Sequence, residues 1–227
     1  MSSLVRPFAR FYLALRYQVL GRRHRRLVLE EVDGVPLLVL PEVFNGVLFR
    51  TGTFLARTLE TAVAAPEGET TLALDMGTGS GIGAIFAARR GFSAVGVDIN
   101  PEAVRCARIN VLLNRLEDRV EIRQGDLFAP VSDELFDLVL FNPPFFRGVP
   151  RNALDWAWRA TDVMERFAAG LPTRLGPRGR ALIVVSTDGD WRGMLRALEV
   201  NGFEPAPVAR RDLGNEVLTA YVVNRPT

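Results

Sequence analysis

Lysine is missing from this chain, and cysteine and histidine occur once each, as Cys106 and His24. One cysteine excludes a disulfide framework, and one cysteine with one histidine excludes a conventional Cys/His zinc site. His24 stands in a basic run, which disfavours Ser-His-Asp and Cys-His nucleophile schemes. No apolar run reaches the ~18 residues of a membrane span, and no signal peptide is visible. We therefore expect a cytoplasmic protein that uses neither a metal nor a membrane.

The 227 residues are 48% apolar and 24% charged, as in an ordinary globular domain with a short extension. All 28 basic residues are arginines, and seven of them precede residue 27, where no carboxylate occurs. The other 21 arginines face 26 carboxylates, so that part carries a net charge of −5. A basic arm of this kind indicates either a contact surface for nucleic acid or a solvated helix end.

The first 50 residues are predicted to form an accessory layer. Apolar spacing predicts a helix over Pro7–Leu20, and Asp33-Gly34 predicts a hairpin between strands Leu27–Val32 and Val35–Leu40. A second helix is predicted over Thr53–Ala65. We therefore divide the chain into an extension, residues 1–50, and a main domain, residues 51–227.

From residue 70 onward, strands and helices alternate, which predicts a parallel sheet covered by helices. The predicted strands are Thr71–Met76, Ser93–Ile99, Arg119–Gly125, Phe136–Asn142 and Arg180–Thr187, followed by a hairpin of Phe203–Leu213 and Glu216–Asn224. The predicted helices are Ile82–Arg90, Asn100–Asn114, Ala153–Ala169 and Trp191–Val200. The fold class is thus α/β, with a seven-stranded, mostly parallel, doubly wound sheet and one antiparallel strand near its end.

A glycine-rich turn follows the first of these strands. The sequence from Asp75 to Ala84 is DMGTGSGIGA, and its glycines let the backbone turn tightly and approach a ligand. The glycines expected to do so are Gly77, Gly79 and Gly81. Asp98 ends the next strand, where a carboxylate can accept hydrogen bonds from both hydroxyls of a ribose. Together these features predict a nucleotide-like ligand.

Two cofactors fit this loop. It satisfies the permissive dinucleotide fingerprint, with Asp98 about 20 residues further on, so a nicotinamide-dependent oxidoreductase stays open. Asp75, however, would repel a pyrophosphate and suits an α-amino group, and Asp126 ends the third strand, where it could bind an adenine amine. Carboxylates at three successive strand ends favour S-adenosylmethionine. Ile99 and Leu127, which follow two of them, and Asn142 at the end of the fourth strand complete the expected cofactor set.

The fourth strand ends in Phe-Asn-Pro-Pro-Phe-Phe, residues 141–146. Asn142 offers a side-chain carbonyl, and the two prolines remove backbone donors, which leaves a corner rich in acceptors. An NH₂ group can give one hydrogen to Asn142 and one to the carbonyl of Pro143, while Phe145 covers the planar group that carries it. Of the two tryptophans that follow, Trp156 and Trp158, one could line this acceptor pocket.

These motifs resemble the class I S-adenosylmethionine-dependent methyltransferases, a family with a Rossmann-like fold, and specifically the HemK-type protein glutamine methyltransferases. The stretches DINPEAV, DLVLFNPPF and DVMERFAAGLPTRLGPRGRALIVV carry the resemblance. It implies methyl transfer to a planar amide or ring amine, with Asn142 and Pro143 holding the nitrogen. In some relatives a small zinc-binding activator subunit takes part. Phe145 and the segment PEVFNGVLFRTGTFLA are closer to nucleobase enzymes than to the HemK pattern.

The main hypothesis is therefore an N-methyltransferase that modifies a glutamine of a translation protein similar to a release factor and leaves S-adenosylhomocysteine as product. Its two acceptors would localise the amide lone pair, so no general base, metal or covalent intermediate is needed. An exocyclic guanine or adenine amine in rRNA or tRNA is the alternative acceptor. An NAD(P)-dependent oxidoreductase and a binding module without catalysis are the alternatives of another class.

Overall fold

The computed structural model describes residues 26–63, 71–151 and 154–224. The predicted helix Pro7–Leu20 and all but one of the seven N-terminal arginines lie outside these ranges. Strands β1 (Val28–Val32) and β2 (Val35–Val39) pair antiparallel around Asp33-Gly34, as predicted. Both turn residues have positive φ, 49° and 80°, as a two-residue hairpin turn requires.

The remaining elements alternate as expected for an α/β protein. The helices are α1 (Thr51–Ala62), α2 (Ile82–Arg89), α3 (Pro101–Leu113), α4 (Val163–Gly170) and α5 (Trp191–Val200). The strands are β3 (Leu72–Met76), β4 (Ser93–Asp98), β5 (Val120–Gln124), β6 (Phe136–Phe141), β7 (Phe146–Arg147), β8 (Arg159–Ala160), β9 (Leu175–Ser186), β10 (Ala206–Asp212) and β11 (Val217–Asn224). Three short 3₁₀ segments cover Ala129–Val131, Leu154–Ala157 and Leu171–Thr173.

Seven of these strands form the central sheet, in the order β10-β11-β9-β6-β3-β4-β5. Strands β9, β6, β3, β4 and β5 are parallel, whereas β11 runs antiparallel to both of its neighbours. The predicted fold class, a mostly parallel sheet with one antiparallel strand near its end, is confirmed. Strand β3 lies between β6 and β4, so the carboxyl ends of these three strands are neighbours at one edge of the sheet.

Both faces of the sheet are buried. One core contains the hairpin, α1, α2 and α3, and the other contains α4 and α5. Alternate residues of one strand therefore enter different cores: Ala73 packs on the first side, and Leu74 and Met76 on the second. The hairpin residues Val32 and Val35 share the first core with the helices, and the predicted boundary at residue 50 remains a prediction.

The predicted helix Ala153–Ala169 is wrong in its first half. Residues 154–157 form a 3₁₀ turn, and β8 then pairs with β7, which follows the Asn-Pro-Pro-Phe corner. Asp155 holds this turn by accepting from the backbone nitrogen of Arg151 and from Arg159. These contacts replace helical bonds, so the regular helix begins only at Val163. In the ranges that the structure describes, no helix is long and apolar enough to cross a membrane.

Candidate active site

A cavity of about 340 Å³ lies at the carboxyl ends of β3, β4, β5 and β6. Seven residues that the sequence singles out line it: Gly77, Gly79, Asp98, Ile99, Asp126, Leu127 and Asn142. These residues come from four separate strand ends, which the parallel sheet brings to one edge. The cavity is therefore shared by the predicted cofactor residues and the predicted acceptor corner.

The glycine loop forms one wall of the cavity. Gly77, Gly79 and Gly81 have φ values of 66°, 56° and 85°, a conformation that side chains other than glycine rarely adopt. Gly81 does not line the cavity but caps the start of α2. A Cβ added to Gly81 would lie 3.2 Å from the Ala107 side chain, so only glycine fits comfortably here. Gly81 therefore shapes the loop without facing the cavity.

Asp98 connects this loop to the next turn of the chain. One carboxylate oxygen accepts from the backbone nitrogen of Gly79, and the other accepts from that of Asn100, both at 2.9 Å. Burial raises the pKa of Asp98, and these backbone donors act against the rise. Each oxygen retains a lone pair after one bond. Asp98 can therefore accept hydrogen bonds from a ligand while it holds the loop in place.

Asp75 does not reach the cavity. Its side chain is 4% exposed and turns under the glycine loop, where it accepts from Thr78 Oγ1 at 2.6 Å and from the nitrogen of Ala84 at 2.9 Å. Burial raises its pKa to about 6. A Cβ on Gly83 would lie 2.3 Å from Asp75 Oδ1, so the carboxylate fills the space that this glycine leaves. The expectation that Asp75 faces an α-amino group is thus corrected: its carboxylate supports the loop from within.

Asp126 lies at the end of β5 and has a partner of its own. Arg166 of α4 donates to Asp126 Oδ2 at 2.6 Å, and both side chains line the cavity. The following residue, Leu127, adopts a positive φ of 48° and also lines the cavity. Arg166 was missed by sequence reasoning because no local pattern relates it to a carboxylate 40 residues away.

The Asn-Pro-Pro-Phe corner places Asn142 and Pro144 on the cavity. The amide nitrogen of Asn142 donates to Thr51 Oγ1 at 3.0 Å, whereas its Oδ1 atom is buried and has no hydrogen-bond partner. Pro143 is buried. Phe145 is 9% exposed, does not line the cavity, and packs against Gly189. Its cover of a planar acceptor group stays a prediction.

Aromatic residues form the opposite wall, and sequence reasoning identified only part of it. Phe44 and Trp156 line the cavity, the latter with 40% of its surface exposed. Trp158 points elsewhere and stacks edge-on against Phe44 and Phe49, with ring centroids 4.9 and 4.6 Å apart. This cluster joins the segment before α1 to the loop after the Asn-Pro-Pro-Phe corner. Of the two tryptophans, Trp156 is thus the one available to a ligand.

Within the described ranges no cluster of side chains could hold a metal ion. The arrangement can bind a nucleotide-like ligand at the glycine loop and Asp98. It also presents an acceptor without a partner, Asn142 Oδ1, next to that site.

Comparison with known proteins gives a consistent result. The family model "Methyltransferase small domain" matches residues 35–202. The chain is 35% identical over 173 residues to a release factor glutamine methyltransferase of Rhodospirillum rubrum, covering 70% of this chain and 52% of that protein. It is 29% identical over 185 residues to the human methyltransferase HEMK2, covering 74% of this chain and 84% of that protein.

The names of other similar proteins refer to different substrates. A ribosomal protein L11 methyltransferase of Desulfitobacterium hafniense is 30% identical over 172 residues, covering 71% of this chain and 54% of that protein. The chain spans about half the length of this relative and of the Rhodospirillum protein. The Thermus thermophilus 16S rRNA methyltransferase RsmC, solved with S-adenosylmethionine and guanosine, shares the fold with a TM-score of 0.67 at 23% identity, over 88% of this chain and 50% of that one.

Proposed function

The chain belongs to the methyltransferase small domain family and resembles HemK-type class I S-adenosylmethionine-dependent methyltransferases, and we propose that it methylates the side-chain nitrogen of a protein glutamine. The observation that carries this proposal is Asn142 Oδ1, a buried acceptor without a partner on a residue that lines the cavity. A buried unpaired acceptor costs about 1–3 kcal/mol, and a substrate NH₂ group would supply the missing donor.

The residues present fit S-adenosylmethionine. Three carboxylates line the cavity, those of Asp98, Asp126 and Asp162, against two arginines, Arg159 and Arg166. The resulting negative balance suits a cofactor whose net charge is positive. We assign the ribose to Asp98, the amino acid part to the loop at Gly77 and Gly79, and the adenine to the region of Asp126, Ile99 and Leu127. When bound, the cofactor supplies an electrophilic methyl group.

The chain's own residues would prepare the acceptor nitrogen. Asn142 Oδ1 and the carbonyl of Pro143 each accept one hydrogen of the incoming NH₂ group, which localises its lone pair. The same two oxygens stabilise the positive charge that develops on this nitrogen. The extra proton then leaves to water, so no side chain has to act as a base. The buried walls around Asn142 hold the acceptor in one orientation.

The charge of the cavity lining favours an uncharged substrate group. Arg159 pairs with Asp155 at 3.0 Å, and Arg166 pairs with Asp126 at 2.6 Å. Both arginines that line the cavity are thus neutralised by carboxylates, and neither is available to anchor a phosphate without losing a partner. A glutamine amide on a protein loop needs no such anchor, in contrast to a nucleotide with its flanking phosphates.

A nucleobase amine in rRNA or tRNA is the second candidate. The observation in its favour is the aromatic surface of Trp156 and Phe44, on which a planar base could stack.

The proposal also includes a partner protein. The Encephalitozoon cuniculi Mtq2–Trm112 complex, which methylates the translation termination factor eRF1, shares the fold with a TM-score of 0.54 and 21% identity, over 77% of this chain and 93% of that one. A small activator subunit is therefore part of the proposed assembly.

The test is labelling with tritiated S-adenosylmethionine in a cell extract, which also supplies any activator. We expect the tritium label to be removed from the macromolecular fraction by protease treatment but not by ribonuclease treatment. Label that survives protease and disappears with ribonuclease would transfer the proposal to RNA.

The Asn142→Ala variant tests the acceptor corner in the same extract. Its rate should fall by ~10²-fold, because one preorganised polar group is lost. Its affinity for S-adenosylhomocysteine, measured by calorimetry, should stay near that of the wild type. The matched control is Asn201→Ala at the end of α5, away from the residues that line the cavity. If the wild-type protein binds NADH and gives no calorimetric signal with S-adenosylhomocysteine, the proposed methyltransferase activity is contradicted.

A further inference from the structure

Thr51 lies behind the acceptor corner without lining the cavity. It is the first residue of α1 and is only 2% exposed. Arg50 before it has a positive φ of 67°, which turns the chain sharply into the helix. The nitrogen of Gly52 donates to the carbonyl of Gly46 at 3.0 Å, and the two glycine backbones approach so closely that a Cβ on either would lie within 3.2 Å of the other. The backbone that carries Thr51 is therefore held in one place.

The side-chain amide of Asn142 has one donor end and one acceptor end. Its nitrogen donates to Thr51 Oγ1 at 3.0 Å, and this leaves Oδ1 as the end without a partner. Rotation of the amide by half a turn would exchange the two ends. The site would then present N–H groups to a substrate amine, which is also a donor, and the pair could not bond.

We propose that Thr51 is a positioning residue: its hydroxyl accepts from the Asn142 amide nitrogen and anchors this side chain, which leaves Oδ1 as the atom for the acceptor nitrogen. This inference rests on the proposed function, because it concerns the same acceptor corner. It adds a residue from a helix 91 positions earlier in the chain, which does not line the cavity. Thr51 acts only through Asn142.

The test compares two substitutions at Thr51. Thr51→Val keeps the shape and removes the hydroxyl, whereas Thr51→Ser keeps the hydroxyl. We expect Thr51→Val to lower kcat by roughly tenfold or more, as misalignment of a polar group does, with the affinity for S-adenosylhomocysteine unchanged. Thr51→Ser should keep kcat near that of the wild type. Thr61→Val, an exposed position on the same helix, is the matched control.

A second measurement does not depend on the acceptor. The side-chain NH₂ resonances of Asn142, identified by their loss in Asn142→Ala, should exchange slowly with solvent in the wild type and in Thr51→Ser. They should exchange faster in Thr51→Val. If these signals behave as expected while the wild type labels no protein, the proposed function fails and the positioning role stands. If Thr51→Val folds and keeps the wild-type kcat, or if its NH₂ signals match those of the wild type, the positioning role is overturned.

Discussion

The buried carboxylate of Asp75 makes the stability of this protein depend on pH. Its pKa in the folded protein is raised from 3.8 to about 6, chiefly because burial disfavours the charged form. The folded state therefore holds a proton that the unfolded chain releases. This stabilisation is fully present below pH 3.8 and is lost as the pH rises through about 6. A shift of about two pKa units corresponds to about 3 kcal/mol over the whole range.

The Asp75→Asn substitution isolates this contribution because an amide does not titrate. The amide keeps one oxygen for Thr78 and Ala84 but turns an NH₂ group toward Gly83, so the variant is less stable by an amount that does not change with pH. The difference in unfolding free energy, wild type minus variant, should therefore fall by about 2 kcal/mol between about pH 4.5 and about pH 7.5.

Urea unfolding of both proteins across this pH range measures the difference. Asp118→Asn removes an exposed carboxylate and is the matched control, for which the difference should stay constant. A difference for Asp75→Asn that stays flat would refute the reasoning. A difference that grows with pH would mean that the donors of Thr78 and Ala84 outweigh desolvation and lower the pKa of Asp75.

Two further substitutions test the cofactor loop. Asp98→Ala should weaken binding of S-adenosylhomocysteine by about 1–3 kcal/mol, since polar partners are left unpaired; unchanged calorimetric affinity in a folded variant would show that Asp98 does not bind the ribose. Gly83→Ala should lower the unfolding free energy by about 1–3 kcal/mol, because its Cβ would lie 2.3 Å from Asp75 Oδ1. Gly176→Ala is the control: a Cβ at this position would lie 3.5 Å from the nearest atom, so the variant should unfold nearly as the wild type does. Equal urea midpoints for Gly83→Ala and Gly176→Ala would contradict the packing argument.

The fold and the position of the site follow from local features of the sequence. Apolar runs of strand length, separated by helical stretches, predict the sheet. The reason is that a strand buried on both faces is apolar along its whole length, without alternating polar residues. The glycine loop, Asp98 and the Asn-Pro-Pro-Phe corner all directly follow or end such runs. Since parallel strands share one carboxyl edge, their meeting at one cavity could be predicted before any contact was known.

The sequence also identified the hairpin and the start of α3, for the same reason. Asp33-Gly34 determines a two-residue turn by its own backbone preference, and Asn100 caps α3 by accepting from the nitrogen of Glu102 at 3.0 Å. Each of these features depends on residues only a few positions apart.

Only the tertiary structure decided how the site is held together. The helical pattern of residues 153–169 gives way where β7 pairs with β8. Asp75 turns away from the cavity because the alternation of β3 points it at Gly83. Thr51 meets Asn142 across 91 residues, and Arg166 meets Asp126 across 40. Such contacts depend on where whole helices pack on the sheet. Local preferences of the chain do not determine which residues meet when they lie 40 or 91 positions apart in the sequence.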